Sequence, residues 1–285
     1  MGRRLLDFIV FGNLWIALGA MLLTVTTQLV LWHQISYHPY LLLIFFATWF
    51  VYNSHRVWAI FRGRLKTHTL PYRDQWAFQH RAFMYTNTLF SLIGLLVYAF
   101  LCKLRVGLFM LPLGFLALGY TFPLIGKRIG LPELRTVPVL KTFLIALVWS
   151  LVTVLAPLVL NDTVINENVY WLLAERFLFV FSITLPFEMR DIIDDKEDGV
   201  KTIAVVLGFK KTLILAKALI ICFWVLCIVH YASVFNISIA MILSAFSTWL
   251  LIKNTKTDNS EYFYLFWLDG TMVLQLLLVL ACSLY

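Results

Sequence analysis

The chain has 285 residues, of which 61% are hydrophobic and only 13% are charged. Soluble globular domains are roughly half apolar and about a quarter charged, so this composition excludes an ordinary water-soluble core. The formal net charge of +8 is explained by the basic loops of a membrane protein and requires no nucleic-acid partner.

Apolar stretches long enough to cross a bilayer as helices, which takes roughly 20 residues, recur along the whole chain. In chain order, the nine predicted spans are 10–32, 39–61, 82–101, 105–122, 137–160, 169–189, 211–233, 235–252 and 262–284. We therefore expect residues 1–285 to form a single membrane-embedded domain of the all-α, multi-pass class.

The lysines and arginines are distributed unequally between the two sides of this arrangement. With the N-terminus in the cytoplasm, the opposite side keeps only Lys103, Arg105 and Arg176 of the 23 basic residues. Positive loops stay in the cytoplasm, so the asymmetry favours nine spans and a cytoplasmic N-terminus. The longer polar loops after the second, fourth and sixth spans are then cytoplasmic, and we expect function there.

The densest polar feature is an acidic segment at the end of the sixth span. Six of the chain's 15 acidic residues fall within it: Glu188, Asp191, Asp194, Asp195, Glu197 and Asp198. If the helix continues through the segment, four carboxylates share one face and Asp194 lies beside them. Those four are Glu188, Asp191, Asp195 and Asp198.

Clustered carboxylates of this kind suit Mg²⁺, which usually keeps water and phosphate among its ligands. The spacing therefore favours a site for a magnesium–diphosphate substrate, with Arg190 and Lys201 as nearby cations for phosphate oxygens. The alternative is a solvated charged loop, in which the acids pair with neighbouring lysines.

The run DIIDDKEDGVKT at residues 191–202, followed by Leu207 and Gly208, resembles the second aspartate-rich motif of the UbiA superfamily of intramembrane prenyltransferases. The basic loop YTFPLIGKR at residues 120–128 is also similar to that family. The resemblance implies a helical bundle around a lipid-open cavity that holds Mg²⁺ and an isoprenoid diphosphate. It implies these ligands: Asp191, Asp195 and more weakly Asp198 and Glu188 for the metal, and Lys127, Arg128 and Lys201 for the diphosphate.

The first aspartate-rich motif of that family, at the end of the second helix, is missing. The pattern NDxxDxxxD, started at Asn53, falls on Ser54, Val57 and Phe61, and Asp74 is the only acid between Asp7 and Glu133. The usual two-sided magnesium site is therefore not expected.

The second span offers Asn53, His55 and Arg56 in place of those carboxylates. A guanidinium presents a planar fork that suits phosphate, so Arg56 is expected to bind diphosphate and replace the charge of one metal. His55 is either a catalytic residue or an ordinary polar residue at a helix end. The cations that follow, Arg62, Arg64, Lys66 and Arg73, are further groups that could bind diphosphate. For Arg62, Arg64 and Lys66 the alternative is a basic patch beside the membrane.

Three further residues are secondary candidates. Asp269 lies inside the ninth span, where an acid is a functional candidate by default. It would orient a polar acceptor or an arginine, or bond to a neighbouring helix together with Gln275. Tyr52 and Tyr120 flank the proposed site, and the faces of such rings attract cations.

The predicted function is a Mg²⁺-dependent enzyme that ionises an isoprenoid diphosphate and transfers the prenyl group to a lipophilic acceptor. Its predicted catalytic residues are Asp191, Asp195, Arg56 and His55. Two alternatives stay open: a terpene cyclase, in which the cation reacts with its own double bonds, and a non-catalytic member that binds lipid or protein.

Overall fold

The structure, a computed structural model, describes residues 2–61, 71–119, 140–197 and 199–283. These residues are almost entirely helical and contain no β-strand. In chain order the helices are α1 Gly2–Phe11, α2 Leu14–Trp32, α3 Pro39–Phe61, α4 Tyr72–Gln79, α5 Arg81–Leu101, α6 Leu104–Gly119, α7 Leu140–Asn161, α8 Glu167–Arg190, α9 Ile192–Glu197, α10 Ile203–Leu207, α11 Phe209–His230, α12 Phe235–Lys253 and α13 Phe263–Ser283.

Seven of these helices are long and apolar enough to cross a membrane, namely α2, α5, α7, α8, α11, α12 and α13. Each matches a predicted span to within about one helical turn. The other two predicted spans correspond to α3, with the expected bounds, and to the shorter α6. An all-helical membrane fold is thus confirmed, whereas the count of nine crossings and the cytoplasmic N-terminus stay predictions.

The first predicted span is divided into α1 and α2 by a break at Asn13. Asn13 has a φ of 61°, a left-handed conformation that asparagine adopts more readily than most residues. The Trp49 indole donates to the Gly12 carbonyl at 2.8 Å, and Asn13 Nδ2 donates to Asn53 Oδ1 at 2.9 Å. The break is therefore held against the polar end of α3.

The acidic segment does not form one unbroken helix with α8, so that expectation is wrong at Asp191. Asp191 ends α8 with φ −90° and ψ 10°, and α9 begins at the next residue. One helical turn is still kept, because the Asp195 N–H donates to the Asp191 carbonyl at 2.8 Å. The acids consequently differ in environment: Asp194 is exposed, whereas Asp195 is only 9% exposed.

Buried polar side chains connect the helices at the other end of the bundle. Arg176 of α8 donates to the Leu23 carbonyl and Thr27 of α2 and to Gln275 of α13, at 3.0–3.3 Å. Each such bond satisfies a polar group that the membrane interior would otherwise leave unpaired. Gln275 is thus a partner of Arg176, and this contact fixes α13 beside α2 and α8.

Candidate functional site

A charged cavity of about 200 Å³ lies among α1 to α4, α7, α8 and α13, at the end of α8 where the acidic segment begins. Four cationic side chains line it: Arg56, Arg73, Lys141 and Arg190. Three carboxyl groups line it as well: Glu188, Asp191 and Asp269. We call this space the charged cavity.

On one side of the charged cavity, Asp74 of α4 joins two arginines. Its Oδ1 accepts from Arg56 Nη1 and, at 3.1 Å, from Arg73 Nε. Burial raises the pKa of the Asp74 carboxyl, but the two guanidinium groups outweigh it and hold that pKa below its ordinary value of 3.8. This stabilisation is present at neutral pH and is lost as the pH falls below about 4.

On the other side, Arg190 holds Asp191 through two parallel bonds. Arg190 Nε donates to Asp191 Oδ1 at 2.7 Å and Nη2 to Oδ2 at 3.0 Å, while Nη1 donates to Glu261 at 3.0 Å. Burial raises the pKa of Asp191, yet Arg190, Arg73 and Lys141 together hold it well below its ordinary value. Asp191 is therefore an ionised carboxylate at the wall of the cavity.

Asp194, on the exposed side of α9, completes a group of neighbouring carboxylates. Partial burial and the charges of Asp191 and Asp74 raise its pKa, which is the effect expected of acids that repel one another. Such repulsion is relieved by a hard cation.

The carboxylates do not form a complete metal cage among the described residues. In residues 2–61, 71–119, 140–197 and 199–283, no three or more Asp, Glu, His or Cys side chains form a group that could hold a metal ion. A Mg²⁺ ion bound here must therefore complete its coordination with water and phosphate oxygens. Magnesium usually binds in this way, so the residues fit a substrate-bound ion.

Several predicted site residues lie away from the cavity wall. Asn53 is fully buried and accepts from Asn13. His55, Asp194 and Asp195 do not line the cavity, and Lys201 is exposed beyond α9. Four predicted residues lie outside the described ones: Tyr120, Lys127, Arg128 and Asp198.

Glu188 lines the cavity but is held by two neighbouring elements. One carboxylate oxygen accepts from Thr142 Oγ1 of α7, and the other accepts from the backbone N–H of Ala204 in α10 at 3.3 Å. These bonds fix α7 and α10 against the end of α8. Glu188 therefore has a structural role in the shape of the cavity.

Three residues of the charged region were not predicted as site residues: Asp74, Lys141 and Glu261. Of these residues, only Asp74 could have been noticed in the sequence, because it is an isolated acid in a long stretch without others. Lys141 lies at the start of α7, and Glu261 lies just before α13. No local sequence pattern distinguishes either residue. Arg73 is one of the cations after Arg56 that were predicted as further groups for the diphosphate, and it lines the charged cavity.

A second cavity, of about 480 Å³, is almost wholly apolar and lies among α3, α5, α6 and α7. Gly107 and Gly114 of α6 line it, and a side chain added at either glycine would enter open space. Leu96, Leu111 and Phe115 also line it and are more than half exposed on the outer surface. This apolar cavity therefore reaches the lipid-facing side of the bundle.

The charged and apolar cavities meet at two aromatic side chains. Tyr52 of α3 and Trp149 of α7 line both of them. The predicted candidates Tyr52, Arg56, Arg190, Asp191 and Asp269 are thereby brought to a region of two adjoining cavities. A molecule with a strongly anionic head and a long apolar chain matches this region in both parts.

Comparison with known proteins identifies the family. A profile of the UbiA prenyltransferase family matches residues 77–269. The fold is also that of a UbiA homolog from Archaeoglobus fulgidus solved with GPP and Mg²⁺, at a TM-score of 0.67 and 16% identity over 98% of this chain and 100% of that one. The same homolog solved with DMAPP and Mg²⁺ gives a TM-score of 0.67 at 16% identity over 97% and 98% of the two chains.

A more distant structural match is a digeranylgeranylglyceryl phosphate synthase, at a TM-score of 0.53 and 16% identity over 99% of both chains. No curated protein matches the chain. At such low identity the structural likeness shows only a shared fold, whereas the family profile matches more than half of the sequence. The chain is an integral membrane protein, and it belongs to the UbiA prenyltransferase family.

Proposed function

We propose that this protein is a Mg²⁺-dependent intramembrane prenyltransferase that ionises an isoprenoid diphosphate and transfers the prenyl group to a lipophilic acceptor. The observation that carries the proposal is the junction of the charged and apolar cavities at Tyr52 and Trp149. The diphosphate head is matched by the first cavity and the prenyl chain by the second. The apolar cavity is within the size range of small-molecule sites, about 300–1,000 Å³.

In this proposal, cationic side chains bind the diphosphate in place of the magnesium ion that the missing first acidic motif would have held. Arg56, Arg73 and Lys141 reach the charged cavity from three different helices. Arginine forks bind phosphate oxygens in pairs, and Asp74 already occupies the forks of Arg56 and Arg73 in the way a phosphate would. A diphosphate therefore competes with Asp74 for these two guanidinium groups.

The proposed magnesium ligands are Asp191, at the cavity wall, and Asp195, one helical turn beyond it, with Asp198 as a third. When bound, Mg²⁺ neutralises negative charge on the diphosphate as it leaves. The protein's own part is to orient the leaving group: Arg190 fixes the Asp191 carboxylate from one side, and Arg73 adds positive charge near both Asp191 and Asp74.

Tyr52 and Trp149 stand where the reacting carbon of the chain would lie, between head and tail. Ionisation breaks the bond between that carbon and the diphosphate oxygen, and the electron pair leaves with the diphosphate. The two rings stabilise the resulting allylic cation until a nucleophilic atom of the acceptor supplies the new bonding pair, and the proton that the acceptor loses passes to the released diphosphate. The rings also exclude water, which would otherwise capture the cation as a prenol.

The test is to incubate the purified protein in lipid nanodiscs with geranyl, farnesyl and geranylgeranyl diphosphates, with and without Mg²⁺. We expect metal-dependent diphosphate release that increases with hydroxyl-bearing or aromatic acceptors. Release with a cyclic hydrocarbon and no acceptor would identify a terpene cyclase. If no substrate gives metal-dependent release, the protein is a non-catalytic member of the family.

Filling the apolar cavity should shorten the accepted prenyl chain. Gly114→Phe places a ring in open space that the chain would occupy, and overfilling of this kind costs about 1–3 kcal/mol. We expect kcat/KM to fall by about tenfold for geranylgeranyl diphosphate while geranyl diphosphate is little affected. Leu108→Phe, at an exposed α6 position outside the cavity, is the matched control, and an equal loss in both variants would refute the assignment.

A further inference from the structure

Asp269 is a buried carboxyl group that lines the charged cavity and is bonded to none of the residues that the structure describes. It follows a π-helical turn, Phe263–Leu268, at the start of α13, and is only 6% exposed. Across the parts of the chain that the structure describes, no hydrogen bond or ion pair joins its carboxyl group to another residue. Its free side is the cavity.

The other buried carboxyl groups of the spans differ from Asp269 in this respect. Glu188 accepts from Thr142 and Ala204, and Glu175 is bonded to His230 at 2.6 Å and Tyr231 at 2.7 Å. A buried carboxyl group without a partner is costly, so its position at a cavity wall points to a ligand. Arg190, a cation that also lines the cavity, is already bonded to Asp191 and Glu261.

The chemistry of Asp269 selects a hydrogen-bond donor as that ligand. A carboxylate repels a diphosphate, whereas a carboxyl oxygen accepts a hydrogen bond from a hydroxyl or N–H group in either protonation state. On α13 the apolar residues Leu265 and Met272 lie about one turn before and after Asp269 and also line the cavity, as do Val10 of α1 and Ile16 of α2. The prenyl chain was assigned to a different set of helices, α3 and α5 to α7.

We propose that Asp269 binds the hydroxyl or N–H group of the acceptor substrate, whose apolar body lies against α1, α2 and α13. The inference rests on the proposed prenyl transfer, because it assigns the second substrate of that reaction. It makes the acceptor an amphipathic molecule with a donor group at its polar end. The two substrates then reach the Tyr52–Trp149 junction from opposite sides.

A binding experiment tests this assignment without requiring turnover. 1-Naphthol carries the hydroxyl donor, and 1-methoxynaphthalene has the same ring system without it. Both are titrated into the protein in nanodiscs by equilibrium dialysis, with empty nanodiscs as the blank. We expect the wild type to prefer naphthol by about tenfold or more, the value of one hydrogen bond to a charged or buried group.

The variants decide whether Asp269 causes that preference. Asp269→Leu should bind the two probes equally, whereas Asp269→Asn, which keeps a carbonyl acceptor, should retain part of the preference. Asp258→Leu, at an exposed aspartate before α13, should behave like the wild type. Binding of a non-hydrolysable prenyl thiodiphosphate, unchanged in Asp269→Leu and Asp269→Asn, shows that each variant is folded.

Two results would overturn the inference. The first is an equal naphthol preference in the wild type and Asp269→Leu. The second is a loss of Mn²⁺ affinity in Asp269→Asn, because the carboxylate would then be a metal ligand. A wild type that prefers naphthol through Asp269 but releases no diphosphate would instead refute the proposed transfer reaction and leave Asp269 as the donor-binding group.

Discussion

Replacing Asp191 by asparagine is expected to lower Mg²⁺-dependent diphosphate release by more than about a hundredfold, because losing even an outer partner of a metal costs about 10–100-fold. The substitution keeps the size of the side chain and removes its charge. It acts at a carboxylate that lines the charged cavity and is held ionised by Arg190. Asp195→Asn is expected to act in the same direction.

Two measurements separate a metal role of Asp191 from a structural one. Mn²⁺ binding in the presence of inorganic diphosphate should weaken in Asp191→Asn, and the thermal midpoint should change far less than the activity does. Asp258→Asn, at an exposed position with no contact to the cavity, is the matched control and should leave both unchanged. Full metal affinity with lost activity would show that Asp191 orients the substrate without binding magnesium.

Hydropathy alone predicted most of the helices, because a sufficiently long apolar segment indicates a membrane span whatever the other segments do. The break at Asn13 was not predicted, although Gly12 and Asn13 are residue types that often end helices. What selects the break here lies in another helix: Asn13 is held in its left-handed conformation by bonds to Asn53 and, through Gly12, to Trp49.

The residues of the candidate site also fall into two groups: those that a local sequence pattern indicates, and those that only the packing of distant helices brings together. Asp191 was found because six acids crowd one segment, and a local density is visible in a sequence. The pairing of Arg56 with Asp74 joins α3 to α4, and Lys141 enters from the start of α7. Such contacts depend on how helices pack, so the sequence pointed to Arg56 in place of the first acidic motif but not to its pairing with Asp74.

Replacing Arg56 by methionine is the second change expected to have a large effect. It leaves Asp74 with Arg73 alone, in a pair that is mostly buried, and removing one partner of a buried ion pair costs about 3–5 kcal/mol. The Asp74 carboxylate then faces the charged cavity and repels the diphosphate. We expect a lower thermal midpoint together with a loss of prenyl thiodiphosphate binding of about a hundredfold.

The Asp74→Asn variant distinguishes a diphosphate site from a structural ion pair. It frees the forks of Arg56 and Arg73, so diphosphate binding should be kept or become tighter even though the protein is less stable. In the double variant Arg56→Met/Asp74→Asn, the uncompensated charge is gone and the thermal midpoint should recover. Binding should stay weak in that double variant, because the fork that replaces the missing metal is absent. Recovery of both quantities would mean that Arg56 and Asp74 only hold α3 against α4.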